Sequence, residues 1–337
     1  MSTPTAPPPR KVLEQIVVGN QVQQAVYVAA RLGIADLLGD GPLSAEDLAR
    51  ASGAHPPSLY RLLRTLAGFG IFAEDDQGRF ALTPVAELLR SDAPGSMLPF
   101  ALWSGGVSYQ GFGSLEYSVR TGKPAFEHIF GSEFFSYLGD HPEASAIFDE
   151  LMARHTAPLC PIVADYDFGG AEMVVDVGGG RGDLLAALLM ARPAMRGVLV
   201  EHPRLAEPAR RFFEAAGLAD RCTVVSGDIF QTVPSGGDAY LIKSVIHGLS
   251  DEETLRLLRH CRAGMRPGAV LLLIEFIIPP GNGFFPGKMM DLLMLMGCYG
   301  RERTQAEFDV LLGQAGFTPA RVTPTKYVYS LIESRAV

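Results

Sequence analysis

Apolar residues in the first part of the chain recur three to four positions apart. The pattern runs from about Val12 to Leu38. This spacing places the apolar side chains on one face of a helix. We therefore predict one long helix over this stretch. The residues that carry the pattern include Val18, Val22, Ala25, Val26, Ala29 and Leu32.

Two shorter helices and a hairpin are predicted to follow. Ser44 stands where it can cap a helix, with Asp47 as the third residue of an acidic capping box. Another helix is predicted over Pro57–Phe69, and two short apolar runs around a polar turn between Phe72 and Thr83 predict a β-hairpin. This order of elements indicates a winged-helix domain, which serves either DNA recognition or dimerisation.

The rest of the chain changes character twice. Residues 94–165 combine helical spacing with many aromatic side chains, which we expect to lie mostly in a core. From Met173 onward, short β-branched runs alternate with helical segments, which predicts a doubly wound, mostly parallel sheet. The last two strands, predicted around Ala320–Thr325 and over Tyr327–Ile332, lie close enough in sequence to pair antiparallel at the sheet edge.

These patterns divide the chain into a disordered, proline-rich lead-in over residues 1–11, a helical domain over 12–165 and an α/β domain over 166–337. A length of 337 residues allows two domains with a core each.

The net charge of −8 argues against a nucleic-acid partner, and so favours dimerisation as the role of the winged helix. The four cysteines lack disulfide or zinc spacing, and no apolar run reaches transmembrane length. We therefore expect a cytoplasmic protein with no metal and no membrane partner.

A glycine-rich segment, Val174–Asp183, carries the most specific signal. A β-branched run reaches Asp176, glycines follow at 178, 179, 180 and 182, and a helical segment begins at once. Glycines in this position let the backbone approach a ligand at a helix N-terminus. The dinucleotide fingerprint needs a glycine where Asp183 stands, which disfavours a nicotinamide cofactor. The next two strands end near Glu201 and Asp228, at the sheet edge where such folds bind ligands.

Two residues further along suggest acid–base chemistry. His247 follows the strand segment AYLIKSVI, and an imidazole with a pKa of about 6.5 can take the proton of a phenol as it reacts. The alternative is a structural histidine at a strand end. Glu275 lies inside the apolar run VLLLIEFII, where an unpaired carboxylate would cost several kcal/mol. It therefore needs a partner, either a catalytic group or a buried cation.

Read as D-x-G-x-G-x-G, the glycine segment resembles the first motif of S-adenosylmethionine-dependent methyltransferases. The chain as a whole, from about residue 12 to 333, resembles the small-molecule O-methyltransferases of the plant caffeate and bacterial natural-product type. The resemblance implies a Rossmann-like doubly wound methyltransferase sheet, with an N-terminal winged-helix domain that forms a homodimer and a substrate lid. The other stretches that carry it are GDIF, LIKSVIHGLSDEETLRLLRHC, RPGAVLLLIEFIIPP and GRERTQAEFDVLLGQAGF.

The resemblance also implies roles for single residues. His247 would be the general base, with Glu275 orienting it and Glu302 flanking it. S-adenosyl-L-methionine, which leaves as S-adenosyl-L-homocysteine, would bind to Asp176, Gly178, Gly180, Glu201, Asp228, Ile229, Lys243 and Ser244. The acceptor would contact Phe148, Met152, His155, Met289, Met290 and Asp291, although methionines and aromatics at this spacing are also typical of a core.

The chain departs from the family pattern directly after the histidine. The family usually has an acid or an amide there, followed by an aromatic residue, whereas this chain has Gly248 and Leu249. The departure bears on the choice of acceptor more than on methyl transfer, because the histidine and both glutamates are present.

The sequence thus predicts an S-adenosylmethionine-dependent O-methyltransferase that acts on a hydroxyl of an aromatic or polyketide-like small molecule in secondary metabolism. Two alternatives stay open at this point. The same fold can serve N-methylation, or non-methylating decarboxylation, hydroxylation or pericyclic chemistry. A winged-helix regulator that senses a ligand is the other, and it would need a basic recognition face.

Overall fold

The computed structural model describes residues 8–337 and divides the chain into two compact units. The first unit ends at Gln110, and the second comprises Gly111–Val337. The helices of residues 111–165, which were grouped with the N-terminal helices from the sequence, therefore pack in the same unit as the large sheet. Within residues 8–337, no helix combines the length and the apolar character needed to cross a membrane.

The first unit consists of short helices and a small antiparallel sheet of strand order β1-β3-β2. The predicted hairpin is confirmed as the pair β2 and β3, and the helix predicted over Pro57–Phe69 is displaced by one residue. Its elements are α1 (Pro9–Val17), α2 (Gly19–Arg31), α3 (Ile34–Leu37), β1 (Leu43–Ser44), α4 (Ala45–Ser52), α5 (Pro56–Gly68), β2 (Phe72–Glu74), β3 (Arg79–Leu82), α6 (Pro84–Glu87), α7 (Leu98–Gly105) and α8 (Val107–Phe112), the last of which extends across the boundary.

The single long helix predicted from Val12 to Leu38 is wrong, because the stretch forms α1, α2 and α3. Gly33 has a φ of +65°, in the left-handed region that ends an α-helix. A first break falls between α1 and α2 at Val18. Apolar periodicity continues across both breaks and so does not reveal them. Of the lead-in expected over residues 1–11, the first seven lie outside the described residues, and Pro9 already begins α1.

The cap predicted at Ser44 is confirmed. The Ser44 hydroxyl oxygen accepts the backbone N–H of Asp47 at 3.1 Å and donates to the Asp47 carboxylate at 2.8 Å. The core of this unit is made of fully buried aliphatic and aromatic side chains. These include Leu48, Leu63, Leu66, Phe72 and Phe80.

The second unit begins with a helical region and continues as a seven-stranded sheet. Phe126 is buried in the helical region against Phe130, Phe134 and Tyr137, whereas Phe135 is 54% exposed, so the expected aromatic core holds for part of the set. The helices are α9 (Leu115–Thr121), α10 (Ala125–Phe130), α11 (Phe134–Asp140), α12 (Pro142–Thr156), followed by a 3-10 turn (Ala157–Leu159), and α13 (Cys160–Asp165).

The sheet has the strand order β6-β5-β4-β7-β8-β10-β9. The first five strands in this order are parallel, and β10 pairs antiparallel with both β8 and β9. The strands are β4 (Met173–Val177), β5 (Arg196–Glu201), β6 (Cys222–Ser226), β7 (Ala239–Lys243), β8 (Val270–Glu275), β9 (Arg321–Pro324) and β10 (Ser330–Arg335). The helices between them are α14 (Asp183–Ala191), α15 (Pro203–Ala215), α16 (Asp251–Gly264), α17 (Pro286–Gly297) and α18 (Gln305–Gln314).

The predicted doubly wound sheet and its antiparallel final pair are confirmed, although β10 begins at Ser330 rather than at Tyr327. Alternate residues of the strands feed two cores on opposite faces, with Val174 in one and Val175 in the other. The chain order reverses between β4 and β7, where their carboxyl ends separate. Folds of this kind bind their ligands at that switch point.

Candidate active site

The glycine segment forms a tight loop between β4 and α14. Gly178 has a φ of +70°, which L side chains rarely adopt. A Cβ at this position would also lie 2.8 Å from a methyl carbon of Val245, closer than packed atoms approach. Two separate reasons therefore require glycine here: the positive φ of the backbone and the lack of room for a Cβ beside Val245. Gly180 and Gly182 also have positive φ, and Gly182 precedes the first turn of α14.

Two buried carboxyl groups lie at the ends of β4 and β5. Asp176 is fully buried, and neither of its carboxyl oxygens has a hydrogen-bond partner among residues 8–337. Burial raises the pKa of Asp176 to about 8. Glu201 accepts the backbone N–H of Gly180 at 2.6 Å and that of His202 at 2.7 Å. Burial raises the pKa of Glu201, and these two bonds oppose the rise.

The other residues expected at the cofactor differ in burial and in the contacts they make. Lys243, at the end of β7, is buried, and burial lowers its pKa to about 8. Ser244 follows it with a φ of +52°, the one non-glycine residue among those described with a positive φ. Asp228 is exposed and accepts the backbone N–H of Phe230 within its own loop at 2.8 Å. Ile229 packs at the margin of a core.

This cradle suits a ligand that carries positive charge and hydrogen-bond donors. The oxygens of Asp176 are buried without partners within the described residues, although buried carboxyl oxygens almost always have them. The residues present therefore fit the sulfonium and amino groups of S-adenosylmethionine.

A second cluster lies where β7 and β8 end. His247 sits on a 3-10 turn, Ile246–Gly248, that follows β7. Its Nδ1 donates to Oε1 of Glu302 at 2.8 Å and lies 4.0 Å from Oε2 of Glu275. Glu275 is the last residue of β8, and its Oε1 accepts the backbone N–H groups of Val245 and Ile246. Both carboxylates are buried, and the histidine side chain is 14% exposed.

The two carboxylates determine the protonation of His247. Burial by itself lowers the pKa of the imidazole, but the charges of Glu275 and Glu302 outweigh it and raise the pKa above its ordinary value. Burial raises the pKa of Glu275 to about 7. Because Nδ1 is directed at a carboxylate, the proton of the neutral ring lies there, and Nε2 is left as an acceptor.

The same cluster brings together three groups that bind metals in other proteins. One ligand atom each from His247, Glu275 and Glu302 lie within 4.8 Å of one another. No metal was expected from the sequence because these residues are far apart along the chain, a spacing that conceals the cluster. That catalysis needs no metal stays a prediction.

The residues expected at the acceptor lie on α12 and α17. Phe148, Met152 and His155 are half-buried along α12, and burial together with the charge of Lys243 lowers the pKa of His155. On α17, Met290 packs against a core whereas Met289 is 56% exposed. Asp291, expected to bind a substrate hydroxyl, accepts the backbone N–H of Glu302 at 2.9 Å.

One buried arginine at this cluster was not predicted from the sequence. Arg303 follows Glu302 directly and has no exposed surface, although arginine is rarely buried. The signal in the sequence was the position of Arg303 beside a candidate catalytic acid in the segment RERT.

A doubly wound sheet with a glycine cradle on one strand end and a carboxylate-flanked histidine on another defines a Rossmann-like methyltransferase. Comparison with known proteins gives the family. An O-methyltransferase domain matches residues 112–318, and an O-methyltransferase dimerisation domain matches residues 15–92. The chain belongs to this O-methyltransferase family, and S-adenosylmethionine is its methyl donor.

Individual relatives cover almost the whole chain. A phenazine O-methyltransferase from Lysobacter antibioticus is 41% identical over 333 residues, 98% of each chain. An 8-amino-8-demethylriboflavin N,N-dimethyltransferase from Streptomyces davaonensis is 36% identical over 98% of each chain. The crystal structure of an O-methyltransferase from neocarzinostatin biosynthesis, in complex with S-adenosylmethionine and 2-hydroxy-5-methyl naphthoic acid, is 37% identical, with a TM-score of 0.85 over 94% of this chain and 96% of that one.

Proposed function

We propose that the protein methylates a hydroxyl group of an aromatic or polyketide-like small molecule of secondary metabolism, with His247 as the general base. The observation that carries the proposal is the hydrogen bond from Nδ1 of His247 to Glu302, which leaves Nε2 to accept a proton. A phenol has a pKa of about 10 and is a weak nucleophile until a base takes its proton.

Each residue of the cluster has a part in this step. His247 takes the proton of the acceptor hydroxyl at Nε2, and its ring then carries a positive charge. Glu302 at 2.8 Å and Glu275 at 4.0 Å stabilise that charge, and the bond to Glu302 fixes the orientation of the ring. Burial strengthens both interactions because little water screens them.

S-adenosylmethionine, when bound, supplies an electrophilic methyl group on a sulfonium. The carboxyl of Asp176, which has no partner within residues 8–337, and the carboxylate of Glu201 bind its donors. The residues proposed to hold it are Asp176, Gly178, Gly180, Glu201, Asp228, Ile229, Lys243 and Ser244.

An aromatic acceptor is supported by the half-buried side chains of α12 and α17. Phe148 offers a ring face, and Met152 and Met290 offer polarizable thioethers, which pack well against aromatic rings. The related structure with a bound naphthoic acid supports the same class of acceptor. We propose Phe148, Met152, His155, Met289, Met290 and Asp291 as the acceptor-contacting residues.

We also propose that the chain acts as a homodimer through its N-terminal helices. The match of residues 15–92 to a dimerisation domain supports this. The apolar side chains of Leu13, Ile16 and Val17 on α1 are more than half exposed. Exposed apolar patches of this kind mark association surfaces.

Methylation of nitrogen is the second candidate, because a relative at 36% identity is an N,N-dimethyltransferase. An aromatic amine carries a free lone pair and needs no base before it attacks. Matched acceptors that differ only in a hydroxyl or an amino group, analysed by mass spectrometry, separate the two. A methyl group found on nitrogen alone would overturn the O-methylation proposal.

The change His247→Ala tests the general base. We expect kcat to fall by about 10²–10⁴-fold, the usual contribution of such a base. Affinity for S-adenosylhomocysteine, measured by calorimetry, should stay within about twofold, since His247 is not among the residues proposed to hold the cofactor. His260→Ala, an exposed histidine on α16, is the matched control and should keep full activity. Unchanged methyl transfer in His247→Ala would remove the histidine from the mechanism.

A further inference from the structure

Arg303 is one of the largest side chains in the protein with no exposed surface. A buried guanidinium is stable only when its charge and its five N–H groups are matched. All three of its nitrogens donate. Nε and Nη2 bind one carboxylate oxygen of Asp251 at 3.0 and 2.8 Å. Nη1 and Nη2 also donate to three backbone carbonyls and to the Thr254 hydroxyl.

Two of those carbonyls stand on either side of the histidine. Nη1 donates to the carbonyl of Ile246 at 2.9 Å, and Nη2 donates to that of Leu249 at 2.9 Å. The guanidinium therefore holds both ends of the turn that carries His247 and Gly248. Its planar geometry fixes the two carbonyls relative to each other, which a flexible ammonium group cannot do.

The same residue is covalently joined to the acid that contacts the histidine. Glu302 directly precedes Arg303, and the backbone carbonyl of Arg303 accepts the N–H of Ile278 at 2.9 Å. A parallel bridge between Ile277 and Arg303 attaches this segment just beyond the end of β8. One residue thus connects the turn of His247, the segment of Glu302 and the strand that ends in Glu275.

We propose that Arg303 is a positioning residue for methyl transfer, which holds the turn of His247 at the distance at which Nδ1 meets Glu302. This inference rests on the proposed role of His247 as general base. Arg303 touches neither reactant in this role and acts through the backbone of the turn. A displacement of reacting groups by about 1 Å can reduce a rate a hundredfold, so a positioning residue has a large effect on kcat.

The charged groups that act on His247 are Glu275 on β8, Glu302 beside Arg303, and Lys243 on β7. Both carboxylates raise the pKa of the imidazole, and the lysine opposes them. When Glu302 moves away from Nδ1, the pKa of His247 falls. Because the base must be neutral to act, the acidic limb of the kcat profile then moves to lower pH.

The test is Arg303→Lys in the full chain. This variant keeps the positive charge but loses the planar guanidinium that holds both carbonyls of the turn. We expect kcat to fall about 10- to 100-fold while KM for S-adenosylmethionine stays within about twofold. We also expect the acidic limb of the kcat profile to move to lower pH. Loss of stability alone lowers the active fraction and leaves that limb in place.

Arg301→Lys is the matched control. Arg301 also binds Asp251, at 2.9 Å, but is partly exposed, and its bonds to Asp251 and Glu307 do not reach the turn of His247. It should keep the wild-type kcat and pH profile. A wild-type pH profile and kcat in Arg303→Lys would overturn the proposal. A wild-type enzyme without an acidic limb would instead contradict the general-base role of His247.

If Arg303→Lys does not fold, Asp251→Asn gives the same test. It weakens the ion pair between Asp251 and the Arg303 guanidinium. The side chain it changes is 47% exposed. A smaller fall in kcat, with the acidic limb again at lower pH, supports the positioning role. A folded Asp251→Asn with unchanged kcat and unchanged limb would contradict it.

Discussion

The glycine cradle proposed to hold the cofactor and the proposed catalytic cluster lie at the same edge of one sheet but are built differently. The cradle is mostly backbone, the loop from Gly178 to Gly182, with carboxyl groups at two strand ends. The cluster consists of side chains from three segments far apart in sequence, which carry His247, Glu275 and Glu302. The cradle therefore depends on glycines that have no side chain, whereas the cluster depends on three ionisable side chains.

The two regions also differ in how their buried charge is balanced. In the cluster, Glu302 binds the imidazole and Glu275 binds two backbone N–H groups, so each acid has one engaged oxygen. In the cradle, both oxygens of Asp176 lack a partner within the described part of the chain. Among the described residues, Oε2 of Glu275 and Oε2 of Glu302 are also buried without a hydrogen-bond partner, so the cluster engages one oxygen of each acid whereas the cradle engages neither oxygen of Asp176.

The largest change in cofactor affinity should follow from a single methyl group in the cradle. In Gly178→Ala the added Cβ meets the Val245 side chain. The alanine must also adopt the positive φ of this position, a strain of about 1–2 kcal/mol. We expect affinity for S-adenosylmethionine to fall at least about tenfold by calorimetry. Gly217→Ala, at φ +68° with no atom near the added carbon, has the same backbone strain and should keep wild-type affinity. Equal losses in both variants would show that strain alone explains the effect.

A second effect should be a trade between stability and binding at Asp176. Its pKa is about 8 in the folded chain, against 3.8 for an unperturbed aspartic acid, so folding takes up a proton between these values and stability falls as pH rises through that window. We expect Asp176→Asn to raise the Tm of the ligand-free protein by a few degrees at pH 8 and by less at pH 5. Its affinity for S-adenosylmethionine should fall.

The exposed Asp220 provides the control for this change. Asp220→Asn should alter neither the Tm nor the affinity at any pH. A Tm of Asp176→Asn below that of the wild type at pH 8 would contradict the view that Asp176 is buried without a partner.

The smallest effect is expected from removal of metal ions. His247, Glu275 and Glu302 lie close enough together to bind a cation, but the proposed general base accepts its proton at Nε2 and needs no metal to do so. Dialysis against a chelator should therefore change kcat by less than about twofold. Activity that is lost on dialysis and returns with one added divalent ion would make this cluster a metal centre.

The glycine loop of the cradle could be predicted from the sequence because its residues are contiguous. A β-branched run, four glycines and a helix follow one another within ten residues, and each has a local physical meaning. The cap at Ser44 and the hairpin of β2 and β3 were predicted for the same reason. Such elements depend on neighbours in the chain.

The proposed catalytic cluster could be predicted only in part from the sequence. Glu275 drew attention as an acid in an apolar strand, but its bonds to the backbone of Val245 and Ile246 depend on how β7 and β8 pair. The role of Arg303 depends on carbonyls more than fifty residues away. The breaks at Val18 and Gly33 were missed because the apolar spacing continues through them.

The strand order of the sheet also affects how the chain is made. The outer edge of β8 pairs with β10, the last strand in sequence, and β9 pairs with β10 as well. A growing chain therefore exposes the apolar edge of β8 from the time Glu275 leaves the ribosome until Arg335 does. Open edges of this kind are templates for pairing with other chains. A chain that stops before Ser330 lacks β10, so we expect the edge of β8 to stay unpaired and the product to be prone to aggregation.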